Sequence, residues 1–204
     1  MSLYLITDIR SDSELISMLT PLLKNGLRWI QIRNKHATSK EIEKTARILL
    51  PHILKNNATL IINDHLDIAL RLHVGVHLGR TDGDPVHARK VLGPNAIIGI
   101  TIHDDLQYAH LHKDIASYVG VGPVFLTKTK LDTQSVLGTE RLKQVVQSSP
   151  LPVVAIGGIN NSNIDSVAQA CPTHIAVCSA ICSAKNPLHS FLNIQRKIEN
   201  SQSR

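Results

Sequence analysis

The five residues Gln31-Ile32-Arg33-Asn34-Lys35 follow directly on the apolar pair Trp29-Ile30. At the end of a strand, side-chain alternation sends Gln31, Arg33 and Lys35 to one face and Ile32 and Asn34 to the other. Burying an amide and two cations without partners costs about 2–7 kcal/mol each. That face therefore belongs either to an edge strand open to water or to a site for a ligand rich in negative charge. Asp64 and Asp82 supply carboxylate oxygens further along the chain. Two carboxylates, joined by substrate phosphate oxygens and waters, are a usual way of holding Mg²⁺. Arg33, Lys35 and Lys130 can surround a diphosphate, arginine through a two-pronged fork. Gly157-Gly158 and Ser179 suit a second, monophosphate site in which backbone N–H groups face the anion, and Thr127-Lys128-Thr129 adds hydroxyl and amide donors between the two. No Gly-x-Ser-x-Gly motif and no Ser/Cys–His pairing points to covalent catalysis. His73 and His77, four residues apart, read as packing or surface histidines rather than a zinc pair. His110 and His112 read as residues of a surface helix, and His103 lies near the rim that carries the other candidates.

The elements that position these residues alternate along the whole chain. Apolar, β-rich runs predict strands over 3–7, 28–33, 59–62, 74–78, 96–100, 115–121, 152–156 and 174–177. Helical periodicity predicts helices over 13–25, 40–56, 66–71, 85–92, 104–112, 139–148, 162–170 and 188–199. Gly26 closes the first helix, Thr38 followed by Glu41 opens the second, and Pro85 stands at the start of the fourth. Continuous Val/Ile/Leu strands are buried on both faces, which means a parallel sheet covered by helices. Eight such units fill one α/β domain over residues 1–204, with a frayed tail from about 200. The natural closure is a (β/α)8 TIM barrel. An open doubly wound sheet is the alternative, but Thr7-Asp8-Ile9-Arg10 is nothing like a Gly-x-Gly-x-x-Gly turn. In the barrel, Asn63-Asp64, Gly79 to Asp82, Thr101, His103, Gly122 to Lys130, Gly157-Gly158 and Cys178-Ser179 all fall at the C-terminal strand ends, the rim where such folds place their chemistry.

Bulk properties narrow the partners. The 204 residues carry 22 Lys plus Arg and 16 Asp plus Glu, a formal charge of +6 that is not blocked into patches. Three Tyr, two Phe and one Trp offer few platforms for stacking on bases, so nucleic acid is not expected and small phosphorylated substrates are. No apolar run approaches the roughly 20 residues of a membrane span, and Met1 to Asp8 lacks the basic start of a signal peptide. Cys171, Cys178 and Cys182 form no Cys-x-x-Cys pair and read as buried free thiols in a reducing, cytoplasmic setting. The sequence leaves homo-oligomer formation open.

Leu5-Ile6-Thr7-Asp8, Gln31 to Lys35, Ile62-Asn63-Asp64, Gly75 to Gly79, Gly120 to Phe125, Thr127 to Lys130, Ala155 to Ile159 and Ser179 to Ile181 together resemble thiamine phosphate synthases, in the same order and at similar spacing. The resemblance implies a (β/α)8 barrel that condenses 4-amino-2-methyl-5-(diphosphooxymethyl)pyrimidine with thiazole phosphate, giving thiamine phosphate and diphosphate. It implies that Gln31, Ile32, Arg33, Asn34, Lys35, Asn63, Thr101 and Lys130 bind the pyrimidine diphosphate, with Arg33, Lys35 and Lys130 acting in catalysis. It implies Mg²⁺ on Asp64 and Asp82, and thiazole phosphate on Thr127, Lys128, Thr129, Gly158, Cys178 and Ser179. The chain departs from the family pattern at Arg80-Thr81, usually Gln-Glu, at Thr101, usually serine, at Leu126, usually proline, and at Cys178, usually valine or isoleucine. A thiazole tautomerase, which needs no diphosphate or metal site, and a non-catalytic phosphate-binding barrel are the alternatives.

Overall fold

A computed structural model of the chain describes residues 1–127 and 135–202. Eight parallel strands close into one barrel in chain order. They are β1 (Ser2–Ile6), β2 (Trp29–Ile32), β3 (Thr59–Asn63), β4 (Gly75–Leu78), β5 (Ile98–Thr101), β6 (Tyr118–Val121), β7 (Val153–Ala155) and β8 (His174–Val177). The helices between them are α1 (Asp12–Lys24), α2 (Ser39–Lys55), α3 (Leu66–Leu72), α4 (Pro85–Leu92), α5 (Leu106–Leu111), α6 (Gly138–Ser148) and α7 (Ile164–Ala168). After β8 come α8 (Ser179–Cys182) and α9 (Pro187–Gln202). The four-residue α8 has no counterpart in the sequence prediction, which read Cys178-Ser179 as loop. Closure comes from β1 pairing with β8 through Leu3↔Ile175 and Leu5↔Val177.

Strand alternation divides the apolar residues into two cores. Leu3 and Leu5, Ile30 and Ile32, Leu60 and Ile62, Val153 and Ala155, and Ile175 and Val177 point outward and pack with the helices. The intervening Tyr4, Ile6, Ile61, Tyr118, Val154 and Ala176 form a separate cluster inside the barrel, with Trp29 and Ile156 against it. This double burial is why the strands read as unbroken apolar runs.

Local signals set the helix ends. Thr38 Oγ1 accepts from the Glu41 N–H at 3.3 Å while the Glu41 carboxylate accepts from the Thr38 N–H at 2.7 Å, a reciprocal cap that fixes where the chain leaves the Gln31–Lys35 stretch. Ser11 and Glu14 do the same for α1. Asp84 caps α4, with Pro85 as its first residue. At the opposite end of the barrel, Arg89 of α4 donates to the carbonyls of Ile115 (2.7 Å), Gly93 (2.8 Å), Pro94 (3.0 Å) and Ala96 (2.8 Å), tying α4 to the approaches of β5 and β6. Among the described residues no helix is long and apolar enough to cross a membrane.

Two expectations are corrected. His112 is buried, not on the surface: its Nδ1 lies 3.0 Å from the Tyr108 carbonyl and its ring packs on Tyr108. Cys171 is exposed, Cys178 is half-buried, and only Cys182 is fully buried. The reading of the other two histidines holds: His77 packs its ring on Tyr118, where it also lines the cavity, and His73 is the exposed left-handed cap of α3.

Candidate active site

The C-terminal strand ends surround a cavity of ≈ 390 Å³. Gln31, Arg33 and Lys35 line it together, as their shared parity requires, along with Asn63, Asp64, His77, Asp82, Thr101, Thr127, Gly158 and Cys178. Ile32 and Asn34 do not. Ile32 is buried in the outer core. The Asn34 side chain turns back to accept from the N–H groups of His36 and Ala37, at 3.0 and 3.2 Å. Their parity excludes them from the mouth, so in this structure they support the loop rather than face the cavity. Lys128, Thr129 and Lys130 lie outside the described residues.

One wall carries the charged groups. Lys35 Nζ lies 3.2 Å from Asp64 Oδ2 and 4.0 Å from Asp82 Oδ2, so one ammonium faces both carboxylates. Burial, then the charge of Asp82, raises the pKa of the Asp64 carboxyl, and Lys35 only partly offsets them. Asp64 is held in a left-handed backbone conformation (φ +66°), and its N–H donates to the His77 carbonyl at 2.8 Å. Glycine at residue 79 leaves the space in which the Asp82 carboxylate sits, since a Cβ there would displace it. Arg33 stands on the same wall, and among the described residues it is in no ion pair.

The cation at position 80 is turned away from this wall. Arg80 Nη1 donates to Asp105 Oδ2 at 3.0 Å, and its guanidinium lies 3.9 Å from the centre of the Tyr108 ring. A cation–π contact and a carboxylate together hold it over α5. Leu126, where the family pattern has proline, is exposed.

The opposite wall comes from β7 and β8, four strands round the barrel from β3. Register Ala155↔Ile175 makes these strands leave the barrel side by side, one into Gly157-Gly158 and the other into Cys178-Ser179. The loop after β6 is pinned against the glycines by the Phe125 N–H donating to the Gly157 carbonyl at 3.0 Å. Gly158 has φ +66°, and a Cβ there would come within 2.5 Å of the Leu126 carbonyl oxygen, so only glycine permits this approach. Cys178 lines the cavity, and its thiol is lowered by hydrogen bonding from Cys182, with further help from Arg33. Ser179 is exposed at the first position of α8.

Sequence reasoning missed the floor of the cavity. Gln31 Nε2 donates to the Tyr4 hydroxyl at 2.9 Å, Tyr4 and Tyr118 hydroxyls lie 3.0 Å apart, Tyr118 lies 3.0 Å from His77 Nδ1, and His77 Nε2 lies 2.9 Å from Thr101 Oγ1. Burial raises both phenols, which keeps them neutral. Gly99 is required beside them, since a Cβ there would overlap the Tyr118 ring. The available signal was parity: Tyr4, His77 and Tyr118 occupy inward positions in strands whose partners at the rim were already singled out.

A wall with two carboxylates and two cations can hold a metal-bound diphosphate. The paired glycines across the cavity can turn backbone N–H groups to a second, smaller phosphate. The family model for thiamine monophosphate synthase matches residues 3–181. The thiamine-phosphate synthase of Leptospira biflexa is 40% identical over 202 residues, covering 95% of this chain and 96% of its own. That of a Psychrobacter species is 39% identical over 193 residues, covering 92% and 90%. The solved thiamine phosphate pyrophosphorylase from Pyrococcus furiosus superposes with a TM-score of 0.84 at 32% identity over 98% of this chain and 96% of that one. A 3-hexulose-6-phosphate synthase from Salmonella typhimurium shares the fold at a TM-score of 0.74 and 16% identity.

Proposed function

The chain belongs to the thiamine monophosphate synthase family, and from that premise we propose that its cavity joins 4-amino-2-methyl-5-(diphosphooxymethyl)pyrimidine to thiazole phosphate, releasing diphosphate. The observation that carries the reading is the pair of anion-accepting walls facing each other across one cavity, Arg33, Lys35, Asp64 and Asp82 on one side and Gly157-Gly158 on the other. The diphosphate lies against Arg33 and Lys35; Lys130, which the family resemblance adds to them, lies outside the described residues. Gln31, Asn63 and Thr101 meet the pyrimidine, and Thr127 to Thr129, Gly158, Cys178 and Ser179 meet the thiazole phosphate. Ile32 and Asn34 belong to this subsite only as the backbone that carries their neighbours.

The residues present fit Mg²⁺. Among the described residues no three His, Cys, Asp or Glu side chains converge on a metal position, so the donor set is two carboxylates completed by ligand oxygens, the usual arrangement for this ion. Ionised Asp64 and Asp82 repel each other, and Lys35 already answers that repulsion with one positive charge. When bound, Mg²⁺ would be held by Asp64 and Asp82 and would act as a Lewis acid on the diphosphate oxygens.

Arg33 and Lys35 stabilise negative charge growing on the diphosphate as the C–O bond to the pyrimidine methylene breaks. The resulting carbocation is stabilised by the pyrimidine's own amino group, and the thiazole nitrogen captures it to form the C–N bond. The protein supplies position and electrostatics, and no side chain acts as nucleophile. Arg80, the residue on which a binding-only barrel would rest, is committed to Asp105 and Tyr108 and puts no cation on the carboxylates. Mixing purified protein with both substrates, with and without Mg²⁺, tests the reading. Thiamine phosphate and diphosphate should form in equal amounts and only with the metal. Absence of product with the metal present would refute it.

A further inference from the structure

The floor of the cavity is a chain of four hydrogen bonds spanning five strands, β2, β1, β6, β4 and β5, in the order Gln31, Tyr4, Tyr118, His77 and Thr101. Each phenol owns one hydrogen, so the direction of the chain is decided at its ends. Gln31 Nε2 donates to Tyr4. The Tyr4 hydrogen then goes to the Tyr118 oxygen, and the Tyr118 hydrogen to His77 Nδ1. A His77 ring with a single N–H then carries that hydrogen on Nε2 and donates to Thr101 Oγ1. With that oxygen accepting, the Thr101 hydroxyl hydrogen is directed into the cavity that Thr101 lines. The reversed chain also satisfies every atom, but only with the Gln31 amide turned over so that its oxygen meets Tyr4.

We propose that Tyr4, Tyr118 and His77 are positioning residues that couple the orientation of the Gln31 amide to the hydrogen-bond polarity of Thr101. The chain holds His77 as its Nε2–H tautomer and makes Thr101 a donor to an acceptor atom of the ligand. This rests on the pyrimidine subsite read above, whose ring nitrogens are acceptors and whose amino group is a donor. Gln31 keeps its carbonyl oxygen for the amino group of such a ring. A buried chain is suited to this work because a single wrong donor leaves an unpaired group in a low-dielectric interior, so intermediate polarities are disfavoured.

Two measurements test it. In protein labelled with ¹⁵N-histidine, the two-bond proton–nitrogen correlation of His77, assigned by its disappearance in His77→Gln and its displacement in Tyr118→Phe, should show the Nε2–H tautomer. The Nδ1–H tautomer, a charged ring, or averaging between tautomers would overturn the proposal, and none of these results depends on whether the protein turns over substrate. In steady-state assays, Tyr118→Phe and Thr101→Val should each raise KM for the pyrimidine diphosphate about three- to tenfold, the loss of one neutral hydrogen bond, and leave KM for thiazole phosphate unchanged. The double variant should be no worse than the worse single one. Additive losses, or equal effects on both substrates, would overturn it.

Discussion

Replacing Asp64 with Asn should stabilise the metal-free protein while abolishing its response to Mg²⁺. Two carboxylate oxygens that face one ammonium at 3.2 and 4.0 Å lie at most about 7 Å from each other, where like charges repel by at least about 0.6–2.4 kcal/mol between bulk and surface screening. Lys35 returns part of this, leaving a net gain on the order of 1 kcal/mol, or about 2–4 °C in Tm for a chain of this size. The sign follows from the raised pKa. The folded state binds the Asp64 proton more tightly than the unfolded chain, so the stabilisation is fully present below the ordinary value of 3.8 and is lost as pH rises through the raised one. Wild type and variant should therefore melt together at acid pH and separate toward neutrality, with the variant higher. Added Mg²⁺ should raise the wild-type Tm and not that of the variant. Calorimetry or fluorescence melting across pH, with and without the metal, measures both effects. A variant less stable than wild type at neutral pH, or a difference that does not change with pH, would refute the electrostatic account of the pair.

Arg33→Met should lower kcat about 100-fold, the size of one lost donor to developing negative charge, with the melting temperature held. Gly158→Ala forces a Cβ to within 2.5 Å of the Leu126 carbonyl at φ +66°; a raised KM for thiazole phosphate with an unchanged KM for the pyrimidine should follow in steady-state assays. Arg80→Ala should leave the Mg²⁺ concentration for half-maximal activity unchanged, because the side chain is bound to Asp105 and Tyr108; a shift in that concentration would place Arg80 at the carboxylates. Arg89→Met removes donors from four carbonyls and should cost about 2–3 kcal/mol, a fall of about 5–10 °C in Tm, with kcat retained in the surviving folded protein.

Local periodicity made the barrel legible. A strand buried on both faces carries apolar residues at every position, and eight such strands alternating with helical stripes leave few architectures. The same period of two placed Gln31, Arg33 and Lys35 on one face and separated Ile32 and Asn34 from them. Residue type marked Asp64 and Asp82 as candidate oxygen donors and Gly157-Gly158 as a candidate backbone site for an anion. Tertiary structure alone decided which of these groups meet. Lys35 reaches both Asp64 and Asp82 only because the β2, β3 and β4 ends are neighbours in register. Arg80 looks like a neighbour of Asp82 in the chain, yet Tyr108 and Asp105 hold it over another helix. Tyr4 and Tyr118, 114 positions apart, share a hydrogen bond across the barrel interior, and His112 is covered by packing that no surface-helix pattern announces. Alternation and helical periodicity are properties of a dozen consecutive residues. Partners are set by the register and closure of distant strands, and the chain records that only in three dimensions.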